Sequence, residues 1–106
     1  MVCLKSDGKW WKADADGTGL WPARGIAVNT GNADAAAIVL VLGIVMESDW
    51  AWTVGATLYL SDAPATTCGI TETAPTGSGD CIQVVGFALS DDEAFFNFTG
   101  VYAEHE

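Results

Sequence analysis

Along FFNFTGVY, residues 95–102, Phe96 and Phe98 alternate with Asn97 and Thr99. That two-residue period predicts a β-strand with one buried face and one wet face. Similar short runs rich in Val, Ile, Thr, Trp and Phe recur along the whole chain. Clusters of Gly, Asp, Ser and Pro separate them at intervals of about 8–12 residues, the rhythm of a β-sandwich or barrel. Strands are expected near 2–5, 9–13, 22–28, 37–46, 56–61, 69–73, 81–89 and 93–102. Turns are expected at SDG (6–8), ADGTG (15–19), NTGNAD (29–34), SDAPATTCG (61–69), PTGSGD (75–80) and SDDE (90–93). Only ADAAAIVLVLGIVM (33–46) invites a helix, and its β-branched residues and interior Gly43 argue for a strand.

The pattern is written twice. VCLKSD (2–7) lies over LYLSD (58–62), GKWWKA (8–13) over GITETA (69–74), and GIAV (25–28) over GFAL (86–89). With Gly43 set on Gly100, AIVLVLGIV (37–45) lies over AFFNFTGVY (94–102). Four matches in one order predict two degenerate copies of a unit of roughly 55–60 residues. The fold expected is therefore all-β, a small antiparallel β-sandwich or barrel built from two repeats, about 2–45 and about 50–102. WAWTVGAT (50–57) introduces the second copy, and nothing equivalent precedes Val2. A first copy that starts in mid-strand is expected of a domain belonging to a longer chain, or of one completed by a neighbouring subunit.

The matched strands differ in a way that bears on assembly. In IVLVLGIV (38–45) both faces are apolar, so both need a cover. Aligned with Asn97 and Thr99, the set Ile38, Leu40, Leu42 and Ile44 is expected to face outward, as a subunit interface. Val39, Val41 and Val45 are expected inside.

Composition narrows the function classes. The 106 residues suit one domain. The formal charge of −10, from 14 acidic and 4 basic residues, repels nucleic-acid backbones and anionic membranes, so neither is an expected partner. The longest apolar run, 35–46, is too short for a spanning helix, and no signal peptide is visible. The single His, His105, is next to last, so no nucleophile–base arrangement can be assembled on it and no enzyme is expected. Asp14 and Asp16 before Gly17 resemble the start of a calcium loop without its later ligands, and an acidic turn is the expectation. No metal or cofactor is expected.

The order LKSDGKW, PARGIAVNTG, VLGIV, WTVGATLYLSD, GITETAPTGSGDCIQVVGFALS and FFNF resembles a β-domain of tailed-bacteriophage virion proteins. Such domains are similar to small head-decoration proteins and to terminal domains of fibres. The resemblance spans residues 2 to about 102 and implies a non-catalytic structural role in the virion, in a homo-oligomer, with other virion proteins as partners. A trimer is implied by the resemblance alone. The alternative is a fibre-tip module that recognises a host-surface glycan. Of five tryptophans, Trp10 and Trp11 are adjacent and should point to opposite faces, one into the core. Trp11, Trp50 and Trp52 are the candidate ligand-stacking or interface aromatics, with core packing the default expectation for most of the five. NFT (97–99) fits a glycosylation pattern that should be silent in a virion protein. Of the three cysteines, Cys68 and Cys81 bracket a hairpin-like excursion whose closure would stabilise by roughly 3 kcal/mol. Three reduced thiols are the alternative, with Cys3 unbridged in either case.

Overall fold

The computed structural model describes residues 1–4, 10–17, 20–27, 39–62, 69–99 and 101–104. The described chain is all-β and pairs antiparallel throughout. In chain order the strands are β1 (Val2–Leu4), β2 (Trp10–Lys12), β3 (Ile26–Ala27), β4 (Val39–Leu40), β5 (Leu42–Met46), β6 (Thr57–Leu60), β7 (Ile70–Thr71), β8 (Cys81–Ile82), β9 (Val84–Ala88), β10 (Glu93–Asn97) and β11 (Ala103–Glu104). A five-stranded sheet runs β5–β10–β9–β6–β7, and three two-stranded ladders join β1 to β2, β3 to β4 and β8 to β11.

Strand order repeats between the halves. β2 pairs with β1, a bridge joins Val2 of β1 to Gly25 just before β3, and β3 pairs with β4. In the second half β7 pairs with β6, Leu58 of β6 faces Gly86 of β9, and β9 pairs with β10. The two glycines matched in sequence therefore face the two strand residues matched in sequence, Val2 and Leu58. Both glycines are held by lack of space. A Cβ on Gly86 would stand 2.0 Å from the Phe95 carbonyl oxygen, and one on Gly25 would meet Val39 Cγ1 at 2.3 Å and the Leu40 oxygen at 2.8 Å.

The fourth strands differ by two residues from the sequence match. Ala27 faces Val39 while Ala88 faces Ala94, whereas setting Gly43 on Gly100 would equate Val39 with Phe96. The inward set differs as well: Ile26 is buried and Ala27 exposed, whereas the matched Phe87 is exposed and Ala88 buried. Gly100 itself lies outside the described residues.

The expected single strand at 37–46 is two strands broken at Val41. β4 pairs with β3 and β5 with β10, so this segment crosses from one half to the other. Such sheet-switching bends turn the corners of β-sandwiches. β10 ends at Asn97 instead of running to 102, and the chain returns as β11 along β8.

Beneath the five-stranded sheet lie Leu58, Leu60, Val85, Ala88, Ala94 and Phe96, all buried. Trp50 and Trp52, from the link before β6, close over them. Their rings are 5.4 Å apart, Trp50 meets Phe96 edge-on at 6.1 Å, and Phe96 stacks on Phe98 at 5.7 Å. One polar side chain fastens the halves together. Gln83, the break between β8 and β9, is buried, and its Oε1 accepts from Ala23 N–H at 2.7 Å while its Nε2 donates to Ala23 O at 2.8 Å. The amide thus stands in for a neighbouring strand.

Candidate interaction surface

Chemistry is sparse on the described surface, and shape with hydrophobicity carries the site. Cross-strand partners share a face. Ile44 faces Phe95, Phe95 faces Phe87, and Phe87 faces Thr57, so one row crosses four strands of the sheet. The Phe87 and Phe95 rings are 5.6 Å apart. Leu42 opposite Asn97 and Met46 opposite Glu93 flank the row on β5. Leu42, Ile44 and Met46 are 61, 59 and 65 % exposed. Adjoining the row, an open groove of about 610 Å³ has Val84, Phe87, Phe95, Val101, Tyr102 and Ala103 in its lining. Trp21 supports its rim, edge-on to Tyr102 at 5.0 Å.

The expected interface set is therefore modified. Leu42 and Ile44 do face outward, but Leu40 packs against the buried core. The bend at Val41 resets the alternation: Val41 is exposed although expected inside, and the outward set runs on to Met46. Ile38 lies outside the described residues. Met46, Phe87 and Phe95 are the additions. Parity alone could have found Phe95, since Asn97 was expected outside and Phe95 shares its side of the strand.

The aromatic candidates change places. Trp50 and Trp52 are buried in the core and present no ring to a ligand. Two indoles carry more apolar surface than any other pair this chain could set over Phe96, and burial wins even though both Nε1–H groups lack a described hydrogen-bond acceptor. Trp10 and Trp11 are 40 and 45 % exposed, so neither fills the core. Among the described residues β2 pairs only with β1, and all three of its residues are exposed.

The segment 13–17 is an acidic turn. Asp16 N–H donates to Asp14 Oδ1 at 3.1 Å, and Gly17 N–H to the Asp14 carbonyl at 3.2 Å. A hydrogen bond to Asp14, then repulsion from its charge, holds the Asp16 carboxyl above the usual carboxylate range. Among the described residues, no three His, Cys, Asp or Glu side chains gather as a metal site. Cys3 and Cys81 are buried; Cys68 and His105 lie outside the described residues, and with Cys68 goes the expected bridge. No protein-family model, curated protein or solved structure matches the chain.

Proposed function

We propose that this chain is a non-catalytic structural component of a phage particle, a subunit that self-associates to decorate or stabilise the virion. The observation that carries self-association is the apolar row Ile44–Phe95–Phe87, flanked by Leu42 and Met46. Each such side chain left in water forgoes about 1.5–3 kcal/mol of burial, which a partner subunit would recover. The virion setting rests on the sequence resemblance to tailed-phage β-domains. Sedimentation of the full chain should give an oligomer, and the chain should be retained on phage particles that lack their own decoration. A chain that stays monomeric and washes off such particles defeats the reading.

A second reading has one observation in its favour. Trp10 and Trp11 stand exposed side by side on β2, a short step before the acidic turn, and exposed indoles stack on sugar rings. A host-glycan module should lose glycan-array binding on Trp11→Ala, whereas a purely structural subunit would show no such binding to lose.

A further inference from the structure

The two edges of the five-stranded sheet are finished differently. β7 is two residues long, Ile70–Thr71, and is followed by Glu72 and Pro75. Short strands, charges and proline are the usual means of blocking further pairing at an edge. β5 has five residues, Leu42–Met46, and carries neither charge nor proline.

Its backbone is open as well. Phe98 N–H donates to Val41 O at 3.2 Å, and Glu47 N–H donates to Asp92 O at 2.9 Å. In an antiparallel ladder, bonded residues alternate along the strand. Val41, Gly43, Val45 and Glu47 therefore turn their polar backbone groups toward β10. Leu42, Ile44 and Met46 turn theirs away, and no described residue pairs with that side. The same three residues thus present exposed apolar side chains and an unused hydrogen-bonding edge. A covering partner must be a strand with free donors and acceptors at two-residue spacing and uncharged side chains.

We infer that the occupant is β5 of a second copy, paired antiparallel about a twofold axis at Ile44. Ile44 then faces Ile44 of the partner subunit and Leu42 faces Met46 of the partner subunit, so the two sheets become one of ten strands. Charge selects the direction. Glu47, Asp49 and Glu93 cluster at the Met46 end of β5, and the Leu42 end has Asn97 opposite it. A parallel pair would set the acidic ends of two −10 chains together, whereas the antiparallel pair sets each against a neutral end. The inference rests on the self-association proposed above and names its contact.

The register can be tested with single cysteines in the full chain, oxidised gently and compared with the unsubstituted chain. Residues facing each other across a bonded antiparallel pair have Cα atoms about 5.5 Å apart, within disulfide reach. Ile44→Cys alone should give a covalent dimer. Leu42→Cys alone and Met46→Cys alone should not, but an equimolar mixture of those two should. Equal cross-linking by all three single variants overturns the register. An oligomer by sedimentation in which Ile44→Cys never cross-links overturns the β5 contact and leaves self-association standing. A parent chain that sediments as a monomer at every concentration overturns both.

Discussion

The two halves of the molecule share a strand order and one core, but they fill it unequally. Among the described residues of the first half the buried side chains are mostly small: Cys3, Ala13, Ala15 and Ala23, with Met1 and Ile26 the larger ones. In the second half Cys81, Ala88 and Ala94 are small as well, but Trp50, Trp52, Leu58, Leu60, Ile70, Val85, Phe96 and Phe98 are larger. What both halves keep is a glycine where the third strand crosses the first. Backbone clearance is unforgiving, because a carbonyl oxygen cannot be repacked. Side-chain volume can be redistributed, provided the total fills the space. Among the described residues the larger side chains gather in the second half, while both halves keep the close backbone approach at the glycine.

The largest effect should come from removing that volume. Phe96→Ala takes away the ring on which Trp50 and Phe98 rest and should cost about 3–5 kcal/mol in urea unfolding. Ile26→Ala in the first half should cost about 2 kcal/mol, at the low end for such a truncation, because its surroundings are small. Equal losses would mean that the core is shared evenly after all.

The glycines sharpen the same comparison. Gly86→Ala forces a methyl onto the Phe95 backbone, with its carbonyl oxygen 2.0 Å away and its carbonyl carbon 3.0 Å away. Gly25→Ala meets the tip of the Val39 side chain first, which can shift, although the Leu40 oxygen stands close behind at 2.8 Å. Overpacking commonly costs about 1–3 kcal/mol, so Gly86→Ala should lie at or beyond the top of that range and Gly25→Ala within it. If Gly25→Ala proves the costlier, the clearance in the first half is the stricter one.

Next in size is the fastening between the halves. Gln83→Ala leaves the Ala23 N–H and C=O without their partner and should cost about 1–3 kcal/mol. Gln83→Glu keeps the acceptor for Ala23 N–H but sets a carboxylate against Ala23 O, so it should be less damaging at acid pH, where the carboxyl can donate. A Gln83→Glu variant equally stable at neutral and acid pH would show that the fastening does not depend on the donor.

Much of this comparison was legible in the sequence, and for physical reasons. Alternation in FFNFT correctly sends Phe96 and Phe98 inward and Asn97 and Thr99 outward, since a strand with one wet face must alternate. The pairing of strands was not legible, because matched segments say which stretches are alike and not which neighbour each one takes. The bend at Val41 was not legible. IVLVLGIV is apolar on both faces, so no polar residue marks where parity changes, and Leu40 was misplaced with it. Trp50 and Trp52 took the core alternative over the ligand one, and the sequence could not choose because a tryptophan reads the same whether it covers a core or a sugar. Only the position of Phe96 decides between them.

The smallest effect separates two acidic turns that follow the second strand of each half. In the second half Asp80 is buried and its Oδ2 accepts from Gly77 N–H at 3.0 Å, so that carboxylate is built into its turn. In the first half Asp14 accepts from Asp16 N–H, and Asp16 carries a second, opposed carboxylate. A hydrogen bond to Asp14 and then its charge raise the Asp16 pKa, so the folded chain holds that proton more tightly than the unfolded chain. Stability from this group is therefore present at acid pH and declines as pH rises from the ordinary carboxylate value through the raised one. Asp14→Asn keeps an oxygen for Asp16 N–H but removes the charge, so Asp16 should titrate closer to an ordinary carboxylate. Carboxyl carbon chemical shifts followed by NMR against pH would show this. An Asp16 titration unmoved by Asp14→Asn would mean that the pair does not interact and that the two turns differ only in burial.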